Sequence, residues 1–251
     1  SKDKTFCSII CEYLDSPGLI PYAHDALKQF GNDALPYIDQ YFYKTGADQR
    51  VQLRIIKLME QIASPTATNM LLKKLDYSNQ EILKNILNAL NKVNYKADEK
   101  GVVVIHQILD EHIMVMAYHL AVKTTFNENK GFEPLKAALD EDLSGNFNLL
   151  YMLLSLAYDA KSIMHVKENL ESGTSEGISY ALELLDLFIN EELKPKLFPI
   201  VEDISLNEKV RQLQNYYPIE KVSLKETIIS LINSDINKTS IWTKVNAIYA
   251  F

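Results

Sequence analysis

The side chains able to do chemistry fall into a few small groups, and their spacing decides whether any group can act. His106, Asp110 and His112 are the first. On a helix His106 and Asp110 share a face at i and i+4 while His112 points well away, so the two-histidine geometry of a metal site is missing. A local hydrogen bond or a solvent-facing pair is expected instead. Glu183 and Asp186 stand at i and i+3, but two carboxylates divide acid and base roles only where a cleft drives their pKa values apart. The sequence supplies no such cleft, and a solvated or helix-capping role is expected. Cys7 and Cys11 lie one helical turn apart. A structural zinc site takes about four ligands and no second cysteine pair exists, so these read as small buried or half-buried thiols of a reducing compartment. The chain carries no phosphate-cradling glycine motif and no nucleophile elbow. These observations assign no catalytic, cofactor-binding or metal-binding residue, and a non-enzymatic protein without a cofactor is expected.

Lys73, Lys74, Lys84, Lys92 and Lys96 could form a basic strip along neighbouring helices, but Asp76, Glu81 and Asp98 interleave with them. A solvated face of mixed charge is the expectation. The net charge is -7, and the arginines are Arg50, Arg54 and Arg211. Recognition of a nucleic-acid backbone needs a concentrated basic face, which this composition does not advertise. Tyrosine is abundant, with 14 residues. Tyr37, Tyr41 and Tyr43 cluster at one place, where repeat packing is the expected role and a partner contact the alternative.

The elements that must position these groups are helices. Glycine and proline number only 8 each in 251 residues, with 47% hydrophobic and 24% charged residues, which favours long helices over a strand-and-turn fold. Ser16-Pro17, Asp48-Gln49 and Asn79-Gln80 each open an amphipathic run; Asp48 follows Ser16 by 32 positions and Asn79 follows Asp48 by 31. Self-similarity at that period marks stacked helical hairpins. The predicted fold is therefore all-α, an α-α superhelix of the HEAT/armadillo type, a right-handed solenoid in which each hairpin buries its apolar stripe against the next.

Along the chain, one repeat domain over 1–251 is expected, with regular repeats over 1–96, a long buried helical segment and loop over 97–131, and further repeats over 132–251. The first helix covers Thr5 to Leu14, with Phe6, Ile9, Ile10 and Leu14 inward. Ser16 caps the next helix, with Pro17 at its first position. Pro36 falls in the opening turn of a helix that carries Ile38, Tyr41 and Phe42. Val51, Ile55, Leu58, Met59 and Ile62 make one inward stripe, and Ile82, Ile86, Leu87, Leu90 and Val93 another. Ala97 to Thr125 is apolar on nearly every face, which predicts a long helix or a broken pair buried on several sides. Asn127 to Gly131 is the clearest loop. Helices then follow over Phe132 to Leu143, Phe147 to Ala157, Ile163 to Leu170, Ile178 to Ile189, Glu192 to Ile204, Leu224 to Leu231 and Ile241 to Phe251. The run Leu197-Phe-Pro-Ile200 echoes Leu35-Pro-Tyr-Ile38.

There is no signal segment and no apolar run long enough to cross a bilayer; the richest, His112 to Val122, is too short and holds two histidines. The chain opens without methionine and ends inside an amphipathic run, from which a fragment of a longer protein is expected, its last apolar stripe covered by a further layer.

Tyr180-Ala-Leu-Glu-Leu-Leu-Asp-Leu-Phe-Ile189, Leu193-Lys-Pro-Lys-Leu-Phe-Pro-Ile200 and Trp242-Thr-Lys-Val-Asn-Ala-Ile-Tyr-Ala250 resemble the HEAT-repeat region of bacterial ATP/ADP-translocase-like membrane proteins. In that family a transporter-like membrane part precedes the repeats and a cyclic-nucleotide-binding domain often follows them. The resemblance implies a non-enzymatic interaction or coupling module on the cytoplasmic face of a bacterial membrane, with a protein partner or a neighbouring domain of the same chain, no nucleic acid and no membrane insertion of this segment. It carries over no catalytic residue, and 97–125 departs from its regular repeat. The alternative is a stand-alone HEAT-repeat protein that binds nucleic acid, as repeat DNA glycosylases do, or another protein; a nucleic-acid binder requires a contiguous basic concave surface.

Overall fold

The computed structural model describes residues 3–44, 48–77, 79–127, 129–220 and 222–251. Among them are fourteen α-helices and no strand, so the all-α expectation holds. The chain divides into two compact units, Ser1–Tyr95 and Lys96–Phe251.

The first unit contains α1 (Phe6–Glu12), α2 (Ile20–Phe30), α3 (Leu35–Lys44), α4 (Gln49–Ile62), α5 (Pro65–Leu72) and α6 (Gln80–Lys92). Local chemistry sets most boundaries. Asp48 accepts from the Arg50 amide, Ser64 from Ala67 and Asn79 from Ile82, each satisfying a free donor of a first turn. Pro36 sits in the first turn of α3, where no ladder bond is lost. Gly31, at φ 58, ends α2 in a backbone conformation that a side chain would strain. Asn94 is left-handed, and the Tyr95 amide returns to the Leu90 carbonyl, which closes α6. Within this unit α1 packs on α3 and α3 on α5, α2 packs on α4 and α4 on α6, and each odd helix packs on the even helix after it.

Two expectations for this unit are corrected. Ser16 does not cap α2: its carbonyl accepts from the Leu19 and Ile20 amides, so Pro17-Gly18-Leu19 forms a turn and Pro21 takes the first-turn slot. Two prolines carried the same start signal, and Gly18 behind Pro17 favours the turn. On α1 the buried residues are Cys7 and Cys11, with Leu14 in the 3-10 turn Tyr13–Asp15, whereas Phe6 and Ile9 face outward. The two thiols are small enough to lie against α2 and α3.

The stripes of α4 and α6 are those expected, joined by Gln52 and Ile56 on α4 and by Leu83 and Ala89 on α6; Ile62 and Val93 lie half-buried at the helix ends.

The second unit contains α7 (Glu99–Asn127), α8 (Glu133–Ala157), α9 (Ala160–Glu171), α10 (Ser175–Phe188), α11 (Lys194–Val201), α12 (Leu206–Leu213), α13 (Leu224–Asn233) and α14 (Ile241–Ala250). The two long helices lie against each other. Helices α11, α12 and α13 pack on α7, α9 and α14 pack on α8, α10 packs on α9, and α13 and α14 pair. Of the expected loop Asn127–Gly131, Glu128 lies outside the described residues.

Here too the structure corrects the sequence reading. α7 is one unbroken helix of 29 residues, but Val103, Val104 and Met114 are exposed. It is covered on several sides, as expected, with open positions near its start and at its middle. The break expected between Leu143 and Phe147 does not occur, and Gly145 lies in the interior of α8. A glycine there costs about 1 kcal/mol, less than the packing that an unbroken α8 gains along α7. α12 lies where no helix was expected. Pro199 is inside α11 while Pro36 opens α3, so the two echoed runs are not equivalent. On α10 the buried residues are Gly177, Ala181 and Leu185, and Tyr180 and Leu187 are exposed.

One ion pair in the first unit ties its helices together. Lys74 is 1% exposed, its ammonium meets the Asp39 carboxylate of α3, and it lies 4.8 Å and 4.6 Å from the ring centres of Phe42 and Tyr43. Removing one partner of such a pair leaves an uncompensated charge, at roughly 3–5 kcal/mol. Asp39 is 33% exposed, so Asp39→Ala is expected to cost about 3 kcal/mol in a urea unfolding curve of the whole chain. Lys74→Met, which keeps the stem and removes the charge, is expected to cost clearly less. Equal losses would show that a stranded ammonium is not what makes the Asp39 change costly.

Candidate interaction surface

The groups singled out in the sequence are placed separately. Cys7 and Cys11 are free and buried, and burial pushes the Cys11 thiol up to about 12, which leaves it a poor nucleophile. Glu183 is exposed, while Asp186 pairs with Lys194 at 2.8 Å; no cleft encloses them. The lysine strip does not form, because Lys74 turns inward to Asp39 and Lys92 pairs with Glu60 at 3.3 Å. In the second unit the Lys96 ammonium points at the carbonyls of Ser155 and Tyr158. Tyr37 and Tyr41 are half-buried and Tyr43 is exposed. Among the described residues no three His, Cys, Asp or Glu side chains converge in a way that could hold a metal ion.

His106 and Asp110, expected to share a face, bond to other elements. The His106 ring lies between the Tyr158 hydroxyl, 2.7 Å from Nε2, and the Asn190 amide, 3.0 Å from Nδ1. Asp110 accepts from Lys196 at 2.6 Å and from the Tyr217 hydroxyl at 2.6 Å. Burial would raise the Asp110 carboxyl, but those two donors outweigh it and hold it below its ordinary value. His112 faces Asn146 of α8 at 3.4 Å. His119 is fully buried with Nε2 3.4 Å from the Thr239 hydroxyl, and its Nδ1 has no hydrogen-bond partner among the described residues. Sequence spacing missed these pairs because each partner is at least 34 positions away.

The surface that stands out is α14. Ser240 caps it through the Thr243 amide. Its buried face is small and polar: Thr243 and Ala247 at 0% exposure and Asn246 at 7%. Asp142 of α8 accepts from the Ser240 amide at 3.2 Å and the Thr243 hydroxyl at 2.8 Å, and Asn246 donates to the Trp242 carbonyl. Its outer face carries the large apolar groups: Ile241, Trp242, Ile248 and Tyr249 are 68%, 56%, 58% and 87% exposed, with Phe251 beyond the helix end at 68%. The usual amphipathic arrangement is thus inverted. The expected apolar stripe is present, but the described residues leave it uncovered.

Cavities offer less. A space of about 440 Å³ is lined by Leu143, Phe147, Tyr151, Ile178, Ile200 and Lys209. The Lys209 ammonium donates to the carbonyls of Ile200 and Glu202, both at 2.7 Å, and so caps the end of α11. Burial holds it below its ordinary value. A second space of about 370 Å³ is lined by Tyr118, Asn207, Gln214, Glu220, Thr227 and Ser230; Glu220 is the carboxylate in that lining, and the Ser230 hydroxyl pairs with the Tyr118 hydroxyl. Comparison with protein-family models, with characterised proteins and with solved structures gives no match for this chain.

The buried histidines make stability depend on pH. His24, His106, His112 and His119 are all held below the ordinary value of 6.5, chiefly by burial. The unfolded chain therefore takes up these protons at higher pH than the folded chain does, so stability is full above the ordinary histidine value and falls as pH drops below it. The melting temperature is expected to be level from about pH 8 to 7 and to fall from about pH 6.5 to 5, before the carboxylates titrate. His119→Phe is expected to shrink that fall. An unchanged fall in a scanning-calorimetry pH series would remove His119 from this account.

Proposed function

We propose that this chain is a non-enzymatic helical-hairpin module, of the HEAT-like superhelical kind, whose work is to hold a protein partner or a neighbouring domain. The observation that carries the reading is the inverted α14, which turns Ile241, Trp242, Ile248 and Tyr249 outward while Thr243 and Asn246 are held inside. Exposed apolar faces of this kind mark contact surfaces. The layered pairing of α1 to α6 supports the repeat reading, because like helices pack on like and the caps Asp48 and Asn79 are 31 positions apart. The coupling role at the cytoplasmic face of a bacterial nucleotide-transporter-like membrane protein rests on the sequence resemblance alone. No helix among the described residues is long and apolar enough to cross a membrane, in keeping with transport residing elsewhere. Binding of nucleic acid draws no support from the dispersed lysines.

Two measurements test the reading. In a contact face these side chains leave the fold's own stability alone, so Trp242→Glu combined with Ile248→Glu is expected to change the unfolding free energy by no more than about 0.5 kcal/mol per site. A loss of several kcal/mol would show that the face belongs to the core. Reading the complete open reading frame around this segment tests the finer assignment. Membrane spans ahead of Ser1 are expected, and a frame without them would discard it.

A further inference from the structure

We propose that the outer face of α14 is a two-fold interface that joins two copies of this chain, with the α14 helices antiparallel. The inference rests on the reading of this face as a contact surface and names its occupant. Ile241, Val245 and Ile248 follow one another at spacings of 4 and 3, the a/d pattern that meets another helix, with Trp242 and Tyr249 along one flank. In an antiparallel pair Trp242 of one copy lies near Tyr249 and Phe251 of the other, and the reverse contact repeats by symmetry, as a two-fold interface requires. Aromatic rings gain from such edge and offset contacts.

Area and charge both favour a second copy. A buried aromatic covers about 150–250 Å², so the exposed fractions of Trp242, Tyr249 and Phe251 present on the order of 400 Å². With Ile241 and Ile248 the face reaches roughly 600 Å², so two copies would bury about 1,200 Å² between them, the lower bound for a stable complex. Ile229 of α13, 38% exposed, lies one turn from Lys225, whose ammonium stands over Phe251 at 5.7 Å, and so extends the rim. The one charged residue of α14, Lys244, turns away: its ammonium binds the carbonyls of Ile232 and Ser234. The stripe is therefore uncharged, and two copies meet across it without opposing like charges despite the net charge of -7. A lipid surface would call for a basic polar face on the same helix, whereas Thr243 and Asn246 are buried and the one cation of α14, Lys244, is tied to backbone carbonyls. The bonds from Asp142 to Ser240 and Thr243 fix the helix rotation that keeps the stripe outward.

Trp242 is the only tryptophan, which gives the test an internal probe. Sedimentation equilibrium of the whole chain is expected to show a monomer–dimer equilibrium, and dilution through it should shift Trp242 emission to the red as the ring returns to water. Tyr249→Ser, at the most exposed position, is expected to weaken the dimer about tenfold or more, and Trp242→Glu with Ile248→Glu to abolish it. A wild-type chain that stays monomeric at every concentration would overturn the proposal; if the doubly substituted chain is then as stable as wild type, the contact-face reading survives with another partner. A monomer that binds neutral or anionic lipid vesicles through Trp242 would also overturn it, in favour of a membrane surface. A dimer unaffected by Tyr249→Ser and the double substitution would place the interface elsewhere.

Discussion

The second unit is held in register by the polar side chains along α7, His119 buried and the others half-buried, which bond to other elements as those pack on the helix. That helix carries His106, Asp110, His112, Tyr118 and His119 among its apolar residues, and each meets a different part of the chain. Tyr158 and Asn190 answer His106, Lys196 and Tyr217 answer Asp110, and Asn146 answers His112. Ser230 answers Tyr118 at 2.9 Å and Thr239 approaches His119. These bonds add a directional constraint to the apolar packing of α8, α11 and α13 on α7. A bond of about 0.5–1.5 kcal/mol, with a larger penalty when a buried group is left unpaired, selects one register.

The same logic explains why α14 faces the way it does. Turning the helix over would bury several large apolar side chains, each worth roughly 1.5–3 kcal/mol. It would also pull Ser240 and Thr243 away from Asp142, strand that carboxylate and drive rings into a space filled by Thr243, Asn246 and Ala247. Interiors are close-packed, so side chains of that size do not fit where small ones stood without moving α8 and α13. The apolar face therefore remains outward as a consequence of the polar one.

In the first unit the constraint is a single ammonium. Lys74 lies in the turn after α5, yet its stem runs inward to Asp39 and the rings of Phe42 and Tyr43, while Gln52 of α4 reaches the Phe42 carbonyl and the Tyr77 hydroxyl. Charge, ring faces and amide together link α3, α4 and the α5–α6 turn at one point. A lysine stem is apolar over most of its length, which lets it fill core space while its end remains paired.

What the sequence by itself determined is local. The caps Asp48 and Asn79, the proline that opens α3, and the period of the stripes on α4 and α6 act within a few residues, so the helical class and the starts of α4 and α6 were legible there. Local signals were ambiguous where two residues offered the same cue, as with Pro17 and Pro21, or where a long neighbour outweighed a weak breaker, as with Gly145 along α7. Tertiary structure alone decided which way faces turned. Lys74 went inward and Phe6 outward, His106 left Asp110 for Tyr158 and Asn190, and the apolar side of α14 was left open. Each outcome hangs on partners tens of residues away, such as Asp142 for Thr243. Periodicity says that a helix has two faces, and only the groups packed against it decide which of them is buried.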